Sequence, residues 1–254
     1  MVTLVEPEEV LAHAPHGREE LPAKVGKALD RGNALYEEGK YEASLDAYKS
    51  ALEYARSLNA NAAILLILNN LANVLSKLGH EEEALATFEA ALSVSQDDWL
   101  VHYNLGVYYG RIGLHEAALK QFTEAHKLEP DATIVMYNLG HANQHLGRYH
   151  AAINFYRNVL TNEPLNYSAR YNLCVSLQSA GEHESALDEV NKALEVWEDE
   201  GFGELRSEIV HGHLVRLVKA GFASWSGRKP RGGRPPVEIT PGPPVSDYVI
   251  QDRG

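Results

Sequence analysis

The sequence is poor in the features that mark secreted, membrane-spanning or nucleic-acid-coating proteins. It holds one cysteine, Cys174, in 254 residues, which excludes an intrachain disulfide and a cysteine-built zinc site and suits a reducing compartment. No stretch approaches the roughly 18 consecutive apolar residues of a membrane-crossing helix. The opening MVTLVEPEEVLAHAPHGREE lacks the basic start and apolar run of a signal peptide, so a cytoplasmic protein is expected. Positive charge is also scarce. With 23 basic against 35 acidic residues the formal charge is −12, which argues against general nucleic-acid binding and favours basic, polar or apolar partners.

Motifs of catalysis are missing too. The sequence has no glycine-rich phosphate loop, nucleophile elbow or Cys/His constellation, and no carboxylate pair stands out from the acidic background. His141 and His145 lie one helical turn apart, a spacing at which both can reach one zinc ion. The residues between them are Ala142, Asn143 and Gln144, so the glutamate of a zinc-protease motif is absent, and no third ligand follows. The chain is expected to be non-catalytic, with no metal and no cofactor, and the two histidines read as polar groups on a binding face.

What is present is a repeated word. YNLG occurs at Tyr103 to Gly106 and again at Tyr137 to Gly140, YNLC at Tyr171 to Cys174, and a looser NNLA at Asn69 to Ala72, each 34 residues from the next. Gly79, Gly113, Gly147 and Gly181 keep the same interval, as do Ala84, Ala118, Ala152 and Ala186. A fixed period of this size means one supersecondary unit stacked several times. The 44% hydrophobic content is ample for the core such a stack needs.

Each unit reads as two helices. From Trp99, the residues His102, Tyr103, Leu105, Gly106 and Tyr109 have helical spacing, and Gly113 marks the end of that helix. Ala117, Ala118, Leu119, Phe122, Ala125 and Leu128 make the second. Pro130 closes this unit and Pro164 the next, because proline cannot continue a helix. Gly32, Ala72, Gly106, Gly140 and Cys174 share one column, and Ser44, Ala84, Ala118, Ala152 and Ala186 another. Small residues there let paired helices approach, with Tyr48, Phe88, Phe122 and Tyr156 filling the gap.

These columns resemble the tetratricopeptide repeat family over about residues 25 to 200. The resemblance implies an all-α fold, an α-solenoid of five helix-turn-helix units in a right-handed superhelix, at about 25–58, 65–98, 99–132, 133–166 and 167–200. Between Gly39 and Gly79 the interval is 40 rather than 34. Six extra residues near Asn59 to Ile64 therefore lengthen a helix or form a bulge. Residues 203–222 suit a capping helix, through Leu205, Ile209, Val210, Leu214, Leu217 and Val218. Residues 1–22 read as a mobile lead or one short helix.

The resemblance also places a binding surface on the inner face of the first helices. Its sixth position carries Asn70, Asn104, Asn138 and Asn172, a ladder whose amides can hold the backbone of an extended peptide without reading its side chains. Tyr103, Tyr137 and Tyr171 add flat contact area beside them, and Asn73 and His141 complete the expected groove. Asparagine is unfavourable in mid-helix, so four in register suggest a contact, either with a bound segment or, structurally, with the neighbouring helix, and the two can coexist. The carboxylate clamp known in some members would use Asn33, Asn70 and Asn73, but Leu29, Leu100 and Asn104 stand where its cations belong. Terminal-carboxylate recognition is therefore not expected.

From residue 223 to 254 the composition changes to a proline- and glycine-rich tail with a basic cluster at Arg228, Lys229, Arg231 and Arg234. It is expected to be extended and ordered only on contact. WSGRKPR and GPPVSDYVIQDR resemble the tails of bacterial type II antitoxins of the Phd/YefM and VapB kind, which wrap a PIN-domain ribonuclease. That resemblance implies a partner-binding tail carried by Trp225, Arg228, Lys229, Arg231, Tyr248 and Ile250, and an antitoxin-like regulator as the alternative function. The expected partner is a protein or an extended peptide, with no membrane. Self-association through the apolar ends of the array stays open.

Overall fold

The computed structural model describes residues 22–197, 200–219, 223–225 and 237–239. Two compact units divide the chain, residues 1–146 and 147–254, and each is described by itself. The first holds α1 (Ala23–Glu37), α2 (Tyr41–Ser57), α3 (Asn61–Lys77), α4 (Glu81–Val94), α5 (Trp99–Arg111), α6 (His115–Leu128) and α7 (Thr133–His145). The second holds α8 (Tyr149–Asn162), α9 (Tyr167–Ala180), α10 (His183–Val196), α11 (Glu200–Lys219), β1 (Ala223–Trp225) and β2 (Val237–Ile239). Consecutive helices within each unit pack as antiparallel hairpins, the arrangement of an α-solenoid.

The glycine column sets the hairpins. Gly39, Gly79, Gly113, Gly147 and Gly181 all take left-handed backbone, with φ between 70° and 83°, which any residue bearing a Cβ adopts only with strain. After Gly39, Gly79, Gly113 and Gly181 the next N–H reaches five residues back, Lys40 to Leu35 and His80 to Leu75 for example, at 2.8 and 2.9 Å. These are Schellman turns, and they satisfy the last carbonyls of one helix while starting the next. α6 and α8 stop two residues before Pro130 and Pro164.

The small column is a steric requirement. A Cβ on Gly106 would lie 2.6 Å from the Phe122 ring, and one on Gly32 would lie 2.4 Å from the Tyr48 ring. Ser44 replaces alanine in the first unit because its hydroxyl donates to the Gly32 carbonyl at 2.8 Å. The six extra residues lengthen helices rather than form a bulge. α2 has 17 residues against 14 in α4, and α3 has 17 against 13 in α5. Asn59, at φ 52°, turns the chain between them, as asparagine tolerates.

α11 spans Glu200–Lys219 and packs on α10. Phe202, Leu205 and Ile209 are buried, and Arg216 donates to the Gly181 carbonyl at 2.9 Å. Phe202 anchors an aromatic group, with ring centres 5.0 Å from Tyr167, 5.6 Å from Tyr171 and 5.9 Å from Trp197. Ala223, Ser224 and Trp225 pair antiparallel with Ile239, Glu238 and Val237. The expected N-terminal lead lies outside the described residues.

Candidate functional site

The asparagine column lies two residues before the small column, so each of its side chains leaves the first helix of a hairpin on the side that meets the preceding one. In the first unit all three are buried, with Asn70, Asn104 and Asn138 exposing 4%, 2% and 0% of their surface. Each donates its Nδ2 to the preceding hairpin. Asn104 bonds to Asn69 Oδ1 at 3.0 Å and Asn138 to the Tyr103 hydroxyl at 3.2 Å, the same step from sixth to fifth position. At the lengthened joint the register differs. Asn70 reaches Asn33 Oδ1 at 3.2 Å, and that oxygen also accepts the Tyr48 hydroxyl at 2.6 Å.

The other end of each amide is unspent. The Oδ1 atoms of Asn70, Asn104 and Asn138, and the Nδ2 of Asn73, are buried without a hydrogen-bond partner among the described residues. Such atoms are uncommon because each costs about 1–3 kcal/mol when left unmatched. Three in one column form a row of acceptors, one per hairpin.

The remaining expected residues vary in depth. Tyr103 and Tyr137 are buried, and Tyr103 packs 6.0 Å from the Phe122 ring. In the second unit Asn172 is buried and Tyr171 is half-buried against Phe202. His141 is buried, with its Nε2 3.3 Å from that of His145, whose ring stacks on His115 at 4.4 Å and 10°. Burial lowers the pKa of His145, and the nearby His115 lowers it further. Among the described residues no group of three or more His, Cys, Asp or Glu is placed to hold a metal ion. Cys174 is buried and its thiol is pushed up to about 12 by that burial, which leaves it unreactive.

Sequence reasoning passed over two columns on the same helices. Leu66, Leu100 and Ile134 stand one turn before the asparagines and are half-buried. Lys77, Arg111 and His145 end α3, α5 and α7. A cation suits a helix C-terminus, and Arg111 is also tied to the Ser76 carbonyl and hydroxyl. The 34-residue register would have shown both columns had it been read at every position. Of the tail residues, Trp225 lies in β1, while Arg228, Lys229, Arg231, Tyr248 and Ile250 lie outside the described residues. Among the described residues no helix is long and apolar enough to cross a membrane.

Comparison with known proteins gives a consistent result. Family models described as tetratricopeptide repeat match residues 25–97 and, in successive copies, 69–133, 103–157 and 137–200. No curated protein matches the chain. Among solved structures, a tetratricopeptide repeat protein from Parabacteroides merdae ATCC 43184 is similar at a TM-score of 0.63 and 19% identity, covering 78% of this chain and 77% of that one. YrrB, described as a TPR protein with an unusual peptide-binding site, is similar at 0.58 and 23%, covering 71% and 90%. MamA is similar at 0.57 and 20%, covering 68% and 91%. At these identities the structures show a shared fold, and the family matches span more than half of the sequence. The chain belongs to the tetratricopeptide repeat family.

Proposed function

We propose that the protein is a non-catalytic interaction scaffold that holds an extended segment of a partner protein along its first helices. The observation that carries this reading is the row of buried, unmatched Oδ1 acceptors on Asn70, Asn104 and Asn138. A peptide backbone offers N–H donors at regular intervals; because these Oδ1 atoms have almost no exposed surface, a donor reaches one only where the side chains over it turn aside, and it then relieves one unmatched acceptor. Half-buried Leu66, Leu100 and Ile134, one turn away, supply the apolar contact that excludes water from such a bond. Asn73, Tyr103, Tyr137 and His141 are buried on the same helices, and in the second unit, taken by itself, Asn172 and Tyr171 occupy the corresponding repeat positions. The peptide-binding site ascribed to YrrB is a precedent for such use of this fold.

An extended-peptide library screened against the full chain, followed by fluorescence-polarisation titration of the hits, tests the proposal. The combined Asn104→Ala, Asn138→Ala variant is expected to weaken binding at least tenfold while circular dichroism still shows a folded helical protein. Leu100→Ser, a change at a half-buried position, serves as a second variant and is expected to weaken binding without touching the ladder. Unchanged affinity in both would refute the groove.

A further inference from the structure

The first hairpin differs from the others at the face where a preceding hairpin would stack. Five residues before the small column, the later units carry Ile67, Val101, Val135 and Ala169, all at most 1% exposed, and one residue before it Leu71, Leu105, Leu139 and Leu173, all buried. In the first hairpin these positions are Lys27 and Arg31, both exposed. With Lys24 they rim a groove of about 570 Å³ between α1 and α2, whose floor includes Ala28, Ala47 and Tyr54. Among the described residues Asp46 is the one acidic side chain lining it. Tyr54 keeps 46% of its surface exposed, a large apolar ring that no described hairpin covers. Lys24 sits in the first turn of α1, which has no acidic residue there, although the positive end of a helix dipole disfavours a cation. An acidic occupant would reverse both penalties.

We infer that this groove is the docking site of the chain's own N-terminal segment, residues 4–11. That segment, LVEPEEVL, places Leu4, Val5, Val10 and Leu11 beside Glu6, Glu8 and Glu9, so apolar residues match the alanine and tyrosine floor and carboxylates match the rim. Residues 1–21 lie outside the described residues and join α1 through Pro22, at the Lys24 end of the groove. A tether this short holds the segment at an effective concentration of about millimolar, so weak contacts suffice. The basic cluster of the C-terminal tail has the wrong sign for this site. Docking covers the alanine and tyrosine floor of the first hairpin.

Hydrogen exchange read by mass spectrometry tests the inference on the full chain and on a chain lacking residues 1–20. Removal is expected to speed exchange in α1 and α2 at least fivefold and to leave α5 to α7 unchanged. A synthetic peptide of residues 1–20 is expected to restore protection to the shortened chain, less so at high salt. In the full chain, Lys27→Glu with Arg31→Glu should reproduce the loss, and adding Glu6→Lys, Glu8→Lys and Glu9→Lys should recover it. Equal exchange in full and shortened chains, or a peptide that restores nothing, overturns the inference. Concentration-dependent self-association that protects α1 and α2 equally in the shortened chain also overturns it, and assigns the groove to a second copy.

Discussion

The two units solve one packing problem in opposite ways. In the first, Gly32 and Gly106 give up every side-chain atom so that Tyr48 and Phe122 can fill the space between paired helices. In the second, the same two positions are Cys174 and Val190, both fully buried. The side nearest the turn gains a thiol and the opposite side loses a ring. Close packing constrains the sum of the pair rather than either member, so a family pattern that asks for a glycine or an aromatic is satisfied by exchanging volume between the two.

That difference can be broken from either side. Phe122→Ala is expected to have the largest effect, destabilising the first unit by about 3–5 kcal/mol through the cavity it leaves, read as a lower urea midpoint. Gly106→Cys, the second unit's choice placed in the first, should cost about 1–3 kcal/mol by overpacking against the ring. Combining it with Phe122→Val should cost less than the two single changes together, the non-additivity expected of residues in contact. A strictly additive double variant would mean that the two units differ for another reason.

Asn138→Ala should cost about 1 kcal/mol, since it removes the bonds to the Tyr103 hydroxyl and the Ile134 carbonyl and also removes an unmatched oxygen. The smallest effect should be acid sensitivity. Burial lowers His145, with a contribution from His115; burial lowers His183, with contributions from Arg216 and His213; and burial lowers His213, with Arg216. Each folded value lies below the ordinary 6.5, so in acid the unfolded chain takes up protons more readily. Stability from these groups is full above about 6.5 and declines as the pH falls below it. Urea midpoints should therefore drop between pH 7.5 and 5.5, and a midpoint that rises would contradict the assignment.

Much of this was legible in the chain. The period fixed the hairpins, and the glycine column marked turns that need left-handed backbone. The small and aromatic columns named pairs that the structure places in contact. The depth of the asparagine column was not legible. Periodicity tells which way a side chain leaves its helix, but the neighbouring hairpin decides how far it is covered, and here it covers Asn104 and Tyr103 almost completely. Nor could spacing foretell that Asn70 would choose Asn33, because that depends on how the six extra residues divide between α2 and α3. The β1–β2 pair was invisible for a simpler reason: three residues among prolines and glycines carry no period.

The row of asparagine acceptors is the feature on which the proposed function rests, and isothermal titration of a library-selected peptide into the full chain and into its Asn104→Ala, Asn138→Ala variant tests it most directly. A loss of at least tenfold in affinity, with helical content unchanged, is the predicted result. Equal affinity in the two folded proteins would show that the ladder only joins hairpins and that partners are held elsewhere.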